Sequence, residues 1–211
     1  MAKVSENPAA RYLWFWQSPQ SLVAPQKFEK KPGFAVAAQT LATASWPVSL
    51  RSTGGDVTPQ GAGIVNVTHV YASEPTKAFD LHAAYDALCR PIEAALGAGA
   101  SRGWQPGAFC DGEYNVQWQG LKFAGTAMRF RPCRADKSRY AILAHALMLI
   151  EPPSEAAIGA LNTFLHILEE PRQIALEAHT GLPPGTSQPG FVDALTQEFA
   201  TLNDTPLEVL A

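Results

Sequence analysis

Leu50–Asn66 reads LRSTGGDVTPQGAGIVN and holds four glycines, Gly54, Gly55, Gly61 and Gly63, between two apolar runs. So many positions without side chains in one stretch imply that something has to come close to this backbone. Trp46–Leu50 on one side and Ile64–Tyr71 on the other are strand-like, so the stretch is expected to join strand to strand. A Walker loop requires G-x-x-x-x-G-K-[ST], and a dinucleotide fingerprint must open a helix. Gly61-Ala62-Gly63 instead runs into Ile64-Val65-Asn66-Val67, which excludes both.

Working outward, RYLWFW (Arg11–Trp16) and Ser21–Ala24 read as strands separated by proline turns, and FAVAAQTLATA (Phe34–Ala44) as a short helix. From Asp80 the apolar residues Leu81, Tyr85, Leu88, Ile92 and Leu96 recur at helical spacing, and Gly97 stands where a helix commonly ends. Tyr114–Trp118 and Leu121–Phe130 flank Gln119-Gly120, the signature of a tight hairpin. YAILAHALMLI (Tyr140–Ile150) is apolar throughout and suits a central strand buried on both faces. Helical stretches follow at about 154–169 and 191–202.

The chain has 211 residues, 46% of them apolar, enough for one substantial core. Sixteen Lys and Arg against nineteen Asp and Glu leave no basic excess to neutralise a nucleic-acid backbone. There is no run of eighteen apolar residues and no signal-peptide pattern at the N-terminus, so the expected location is cytoplasmic, without a membrane partner. The three cysteines, Cys89, Cys110 and Cys133, lack C-x-x-C spacing, and the five histidines show no ligand-like pairing; no protein-bound metal is expected.

Three segments resemble the catalytic domain of the lipoate-protein ligase A and octanoyltransferase family, more distantly related to biotin-protein ligases. That family's glycine motif, R-R-x-S-G-G-G-A-V-x-H-D-x-G-N-x-N, aligns without gaps with Leu50–Asn66. Arg51, Thr53, Gly54, Gly55, Gly63 and Asn66 match or nearly match, whereas Gln60 and Gly61 replace its histidine and aspartate. The second motif, D-G-[RK]-K-[IV]-[AS]-G-[ST]-A-Q, corresponds to Gln119–Met128, keeping Lys122, Gly125, Thr126 and Ala127 but ending in Met128 rather than glutamine. The third, H-[GA]-x-[LI]-[LM], is His145–Leu149.

The resemblance implies an α+β fold with a mixed, largely antiparallel sheet and packed helices, like the biotin/lipoate ligase catalytic domain. It implies that residues 1–211 form one catalytic domain without the C-terminal accessory domain of two-domain ligases. The implied activity is attachment of a lipoyl or octanoyl group to a lysine of a lipoyl-carrier domain, either a 2-oxo acid dehydrogenase E2 or the glycine cleavage H protein. Two routes stay open: an ATP-derived acyl adenylate (lipoyl-AMP), supplied with or without a separate adenylation partner, or a thioester on Cys110 loaded from an acyl carrier protein. The adenylate route is favoured here, because Cys110 is offset from the transferase cysteine and Asp111 follows it. A third reading is a non-catalytic binder that kept the acyl pocket.

By resemblance, Arg51, Thr53, Gly54, Gly55, Gly63 and Asn66 bind the acyl ligand together with Gly125, Thr126, Ala127 and His145, and Lys122 binds the acyl carbonyl. Read without the resemblance, Lys122 is a solvated hairpin lysine contributing little packing, Cys110 an inert half-buried thiol, and His145 a neutral histidine satisfied within an apolar strand.

Overall fold

The computed structural model describes residues 1–76 and 78–210. The described strands are β1 (Tyr12–Trp16), β2 (Ser21–Pro25), β3 (Val48–Arg51), β4 (Thr58–Gln60), β5 (Ile64–Ala72), β6 (Ala100–Arg102), β7 (Val116–Trp118), β8 (Leu121–Pro132), β9 (Tyr140–Leu149) and β10 (Glu208–Leu210). The α-helices are α1 (Ala2–Glu6), α2 (Phe34–Thr43), α3 (Leu81–Leu96), α4 (Glu155–Ile167) and α5 (Gln188–Ala200).

A seven-stranded sheet runs β10-β1-β5-β9-β8-β7-β6, antiparallel except at β1–β10, and a three-stranded sheet runs β3-β2-β4. The architecture is therefore α+β, with a mostly antiparallel sheet and helices packed on it.

β9 lies fourth of seven, and its unbroken apolar sequence follows from facing two cores. Ala144, Ala146 and Met148 join the core beneath α3 and α5, whereas Leu147 and Leu149 join the one beneath α2 and α4. On that second face, Leu143 and His145 continue the Leu147 row away from the core and line a cavity. α3 starts where Asp80 accepts a hydrogen bond from Ala83 N–H at 2.9 Å. Gln119 (φ 54°) and Gly120 (φ 75°) both take the left-handed conformation that a two-residue hairpin turn needs.

The expectation for Leu50–Asn66 is corrected in one respect, because Thr58–Gln60 within it is β4. It pairs with β2 at the edge of the small sheet, Pro59 opposite Leu22, where a missing N–H is tolerated. The first hairpin strand starts at Val116 rather than Tyr114. The short elements α1, β6 and β10 carry too few residues to show a period.

Arg11 closes the domain. Its guanidinium is buried and donates to the Phe199 carbonyl at the end of α5, to Asn203 Oδ1 at 2.6 Å and to the Thr205 carbonyl at 3.1 Å, while Nε donates to His69 Nε2 at 3.3 Å. Arg11→Ala leaves these acceptors unpaired and is expected to lower the unfolding free energy by about 3 kcal/mol in urea titrations. Amide protection across Glu208–Leu210 should be lost with it.

Candidate functional site

The β7–β8 hairpin carries Lys122 into the interior rather than to solvent. Its side chain is fully buried, and Nζ donates to the carbonyls of Phe109 (2.5 Å) and Cys110 (2.8 Å) while lying 4.8 Å from the Phe109 ring centroid. Burial pulls its pKa down to about 8, while Cys110, Asp111 and Asp56 oppose that shift. Gly125 makes the room: a Cβ there would stand 3.2 Å from Nζ. Burial and these two carbonyl bonds correct the view of Lys122 as a solvated edge residue.

The same segment is held from the far side by His179. Its Nε2 accepts the Phe109 N–H at 3.2 Å, its ring stacks on Phe109 at 4.7 Å, and its Nδ1 lies 3.0 Å from the Ala175 carbonyl, which fixes the proton on Nδ1. Burial, then the Lys122 charge, hold this imidazole neutral, with a pKa of about 4.

Cys110, fastened at both flanks, takes φ 46°, rare for a residue with a side chain. Its sulfur accepts the Asp56 N–H at 3.3 Å and interacts with the Arg51 guanidinium. These are the groups that crowd the glycine stretch: a Cβ on Gly55, whose φ is 93°, would lie 3.1 Å from both Cys110 Sγ and Arg51 Nη2. Arg51 also donates to the carbonyls of Val23, Gly54 and Asp56, tying the stretch to β2. The buried Asp56 carboxylate pairs with Arg172, which reaches in from the segment after α4. Asp111 is turned to its own loop, with Oδ1 accepting from Gln105 N, Gly112 N and Asn115 Nδ2.

Two cavities meet at Cys110, Thr126 and Ala127. The larger, about 320 Å³, is walled mainly by apolar groups, with Trp14 and Trp16 on one side, Leu143 and Leu147 of β9 behind, and Phe109 at the Cys110 end. The smaller, about 230 Å³, is more polar and opens between Gly54-Gly55, Tyr85 and the 111–115 loop. His145 lines the larger cavity, stacked on Trp16 at 5.6 Å and with Nδ1 3.3 Å from Thr68 Oγ1. Burial, then Arg51, lower its pKa to about 4.

Of the residues singled out in the sequence, Arg51, Thr53, Gly125 and His145 line the larger cavity, Gly54 and Gly55 the smaller, and Cys110, Thr126 and Ala127 both. Lys122 lies just behind the wall at Gly125. Gly63 and Asn66 stand outside both. The Gly63 carbonyl accepts from Ile150 N and Glu151 N, and Asn66 exchanges amide hydrogen bonds of 2.8 and 3.2 Å with Gln60, which does line the larger cavity. Sequence reading missed Trp16, Phe109, His179, Asp56 and Arg172. Only Asp56 carried a signal, as a carboxylate standing where the glycine motif has its third glycine.

The profile of the lipoyl protein ligase A/B catalytic domain matches residues 1–181. An uncharacterized protein of Cupriavidus necator is 37% identical over 161 residues, 71% of this chain and 64% of that protein. An octanoyl-[GcvH]:protein N-octanoyltransferase of Kyrpidia tusciae is 33% identical over 145 residues, 64% of this chain and 49% of that protein. The chain thus matches less than two thirds of the length of either relative. Among solved structures, a lipoate-protein ligase A bound with ATP superposes with a TM-score of 0.65 at 17% identity, covering 95% of this chain and 76% of the other. A bipartite lipoate protein ligase of Thermoplasma acidophilum, studied with its E2 lipoyl domain, gives 0.63 at 16%, covering 100% and 82%. At these identities the superpositions speak for the fold.

Two outcomes follow from this geometry. Lys122→Met replaces a costly buried ammonium with an apolar chain of similar length but strips two carbonyls of their donor. The urea midpoint should move little, while hydrogen-exchange protection of the Phe109 amide collapses. Unchanged protection there would mean that Lys122 does not hold the segment. His69, with a pKa of about 3 through burial and then Arg11, joins His145 and His179 in refusing a proton that the unfolded chain accepts near pH 6.5. The unfolded state therefore binds more protons, and stability should fall as pH drops from 6.5 towards 4. The expected slope is on the order of 1 kcal/mol per pH unit for each imidazole, read from urea midpoints; His69→Phe should flatten the curve.

Proposed function

The chain belongs to the lipoyl protein ligase A/B catalytic-domain family, and from that premise we propose that it moves a lipoyl or octanoyl group onto a lysine of a lipoyl-carrier domain through a thioester on Cys110. One observation carries the choice of route: Cys110 is the nucleophile-bearing residue shared by an apolar cavity suited to an acyl chain and a polar cavity open to a second reactant. The Asp56 N–H donates to its sulfur, and the Arg51 guanidinium stands beside it.

In the first half-reaction the Cys110 sulfur attacks the acyl carbonyl carbon. The C–S bond forms, the bond to the donor breaks, and the thiol proton leaves with the donor's departing group. In the second, the amine of the acceptor lysine attacks the thioester carbon, the C–N bond forms, and the sulfur departs and regains a proton. Lys122 fixes the Cys110 carbonyl from behind Gly125, and its buried charge would favour negative charge on a nearby acyl oxygen through the field it sets up rather than by direct contact.

The adenylate route is the second reading, motivated by the glycine backbone at the smaller cavity and by the ATP-bound relative of like fold. It is less well supported, because the two cations nearest the cavities, Arg51 and Lys122, already spend hydrogen bonds on protein carbonyls. The Kyrpidia tusciae relative, an octanoyltransferase by name, points the same way.

Incubation with an octanoylated H protein or octanoyl carrier protein should add one octanoyl mass to Cys110, removable with hydroxylamine. Cys110→Ser should lose both the adduct and transfer to an apo lipoyl domain, by at least ~100-fold. A Cys110→Ser enzyme that transfers normally from lipoyl adenylate would decide for the adenylate route instead.

A further inference from the structure

We propose that the smaller cavity is the entry path for the acceptor amine: it takes the side chain of a lysine, with Glu113 meeting the ammonium at the mouth and the Tyr85–Tyr114 pair walling the methylene stem. The proposal rests on the thioester reading and adds which side of Cys110 each reactant occupies.

The geometry separates two kinds of ligand. The cavities share only Cys110, Thr126 and Ala127, so an acyl chain stretched along Trp16 and Leu143 has its carbonyl carbon at the junction and leaves the smaller cavity free. A nucleophile reaching that carbon without displacing the chain has to come from the other side. What lines that side fits a long, flexible, cationic side chain. Tyr85 and Tyr114 stack with ring centroids 3.8 Å apart and planes 4° apart, and the Tyr114 hydroxyl is pinned 2.5 Å from His82 Nδ1, which gives a rigid flat wall. Lys and Arg stems pack well on such faces. The carboxylate of Glu113 is exposed at the opening, whereas Asp111 points one oxygen into its own loop. The opposite wall is the bare backbone of Gly54 and Gly55, which leaves width for a chain to pass.

The amine enters as an ammonium, releases one proton to solvent at the open mouth, and attacks the thioester carbon as a free amine. The C–N bond forms, the C–S bond breaks, and the departing sulfur takes up the second nitrogen proton.

The test is a single-turnover measurement on Cys110 that has been octanoylated beforehand and quantified by mass, with Nα-acetyl-lysine N-methylamide as the amine and hydroxylamine as a small uncharged control. Glu113→Lys should raise the lysine amide concentration needed for half-maximal release by roughly tenfold, and Met128→Trp, which narrows the cavity from β8, should slow release by a similar factor. Hydroxylamine should discharge both variants at the wild-type rate, and their far-UV circular dichroism and urea midpoints should match the wild type, which reports that they are folded. Lysine amide reacting equally well with wild type and both variants would overturn the proposal. Failure of the wild type to form any octanoyl-Cys110 would overturn the thioester reading beneath it, a separate result from the first.

Discussion

The site depends on one buried ammonium. Lys122 makes no direct ion pair among the described residues and is satisfied by the carbonyls of Phe109 and Cys110 and by the Phe109 ring, with Asp111 and Asp56 acting on it only from a distance. Such an arrangement is costly, as the lowered pKa of about 8 records. Its consequence is geometric: the chain between Phe109 and Asp111 cannot relax, so Cys110 stays in a left-handed conformation with its sulfur at the junction of two cavities. His179 repeats the constraint from the opposite side with a neutral donor–acceptor pair.

The glycine stretch answers to the same constraint. Gly55 is bare because the Cys110 sulfur and the Arg51 guanidinium already occupy the space a Cβ would need. Arg51 lashes the stretch to β2, and the Asp56–Arg172 pair lashes it to the segment after α4, so the Asp56 N–H is aimed at sulfur by contacts on both its flanks. Close packing of this kind explains how a loop rich in glycine is nonetheless fixed: its freedom is removed by side chains from elsewhere.

The charges within the site are balanced against stability. Three imidazoles are held neutral by burial, two of them at the site, and a lysine is held with a lowered proton affinity. Each favours the fold less at acid pH than a solvated group would. The counterpart is a site whose buried hydrogen-bonding groups are nearly all paired with one another, which holds the Cys110 segment in place.

The sequence by itself determined the elements whose signals are local. The period of α3 and its Asp80 and Gly97 ends, the Gln119-Gly120 turn, and the doubly buried β9 all follow from residues within a few positions of one another. Three motifs in order also brought forward Arg51, Gly54, Gly55, Gly125–Ala127 and His145, which line the cavities, and Lys122 just behind them, whereas Cys110 stands in none of the three. Tertiary structure alone decided the rest. Whether a hairpin lysine faces water or protein depends on what the other elements bring above it, and Phe109, His179 and Arg172 arrive from segments with no period or motif to announce them. Gly63 and Asn66 belong to the motif yet support the site from outside, since a residue's place in a pattern fixes its neighbours along the chain and not the cavity it reaches. The meeting of two cavities at one sulfur is a property of packing, which no stretch of sequence contains.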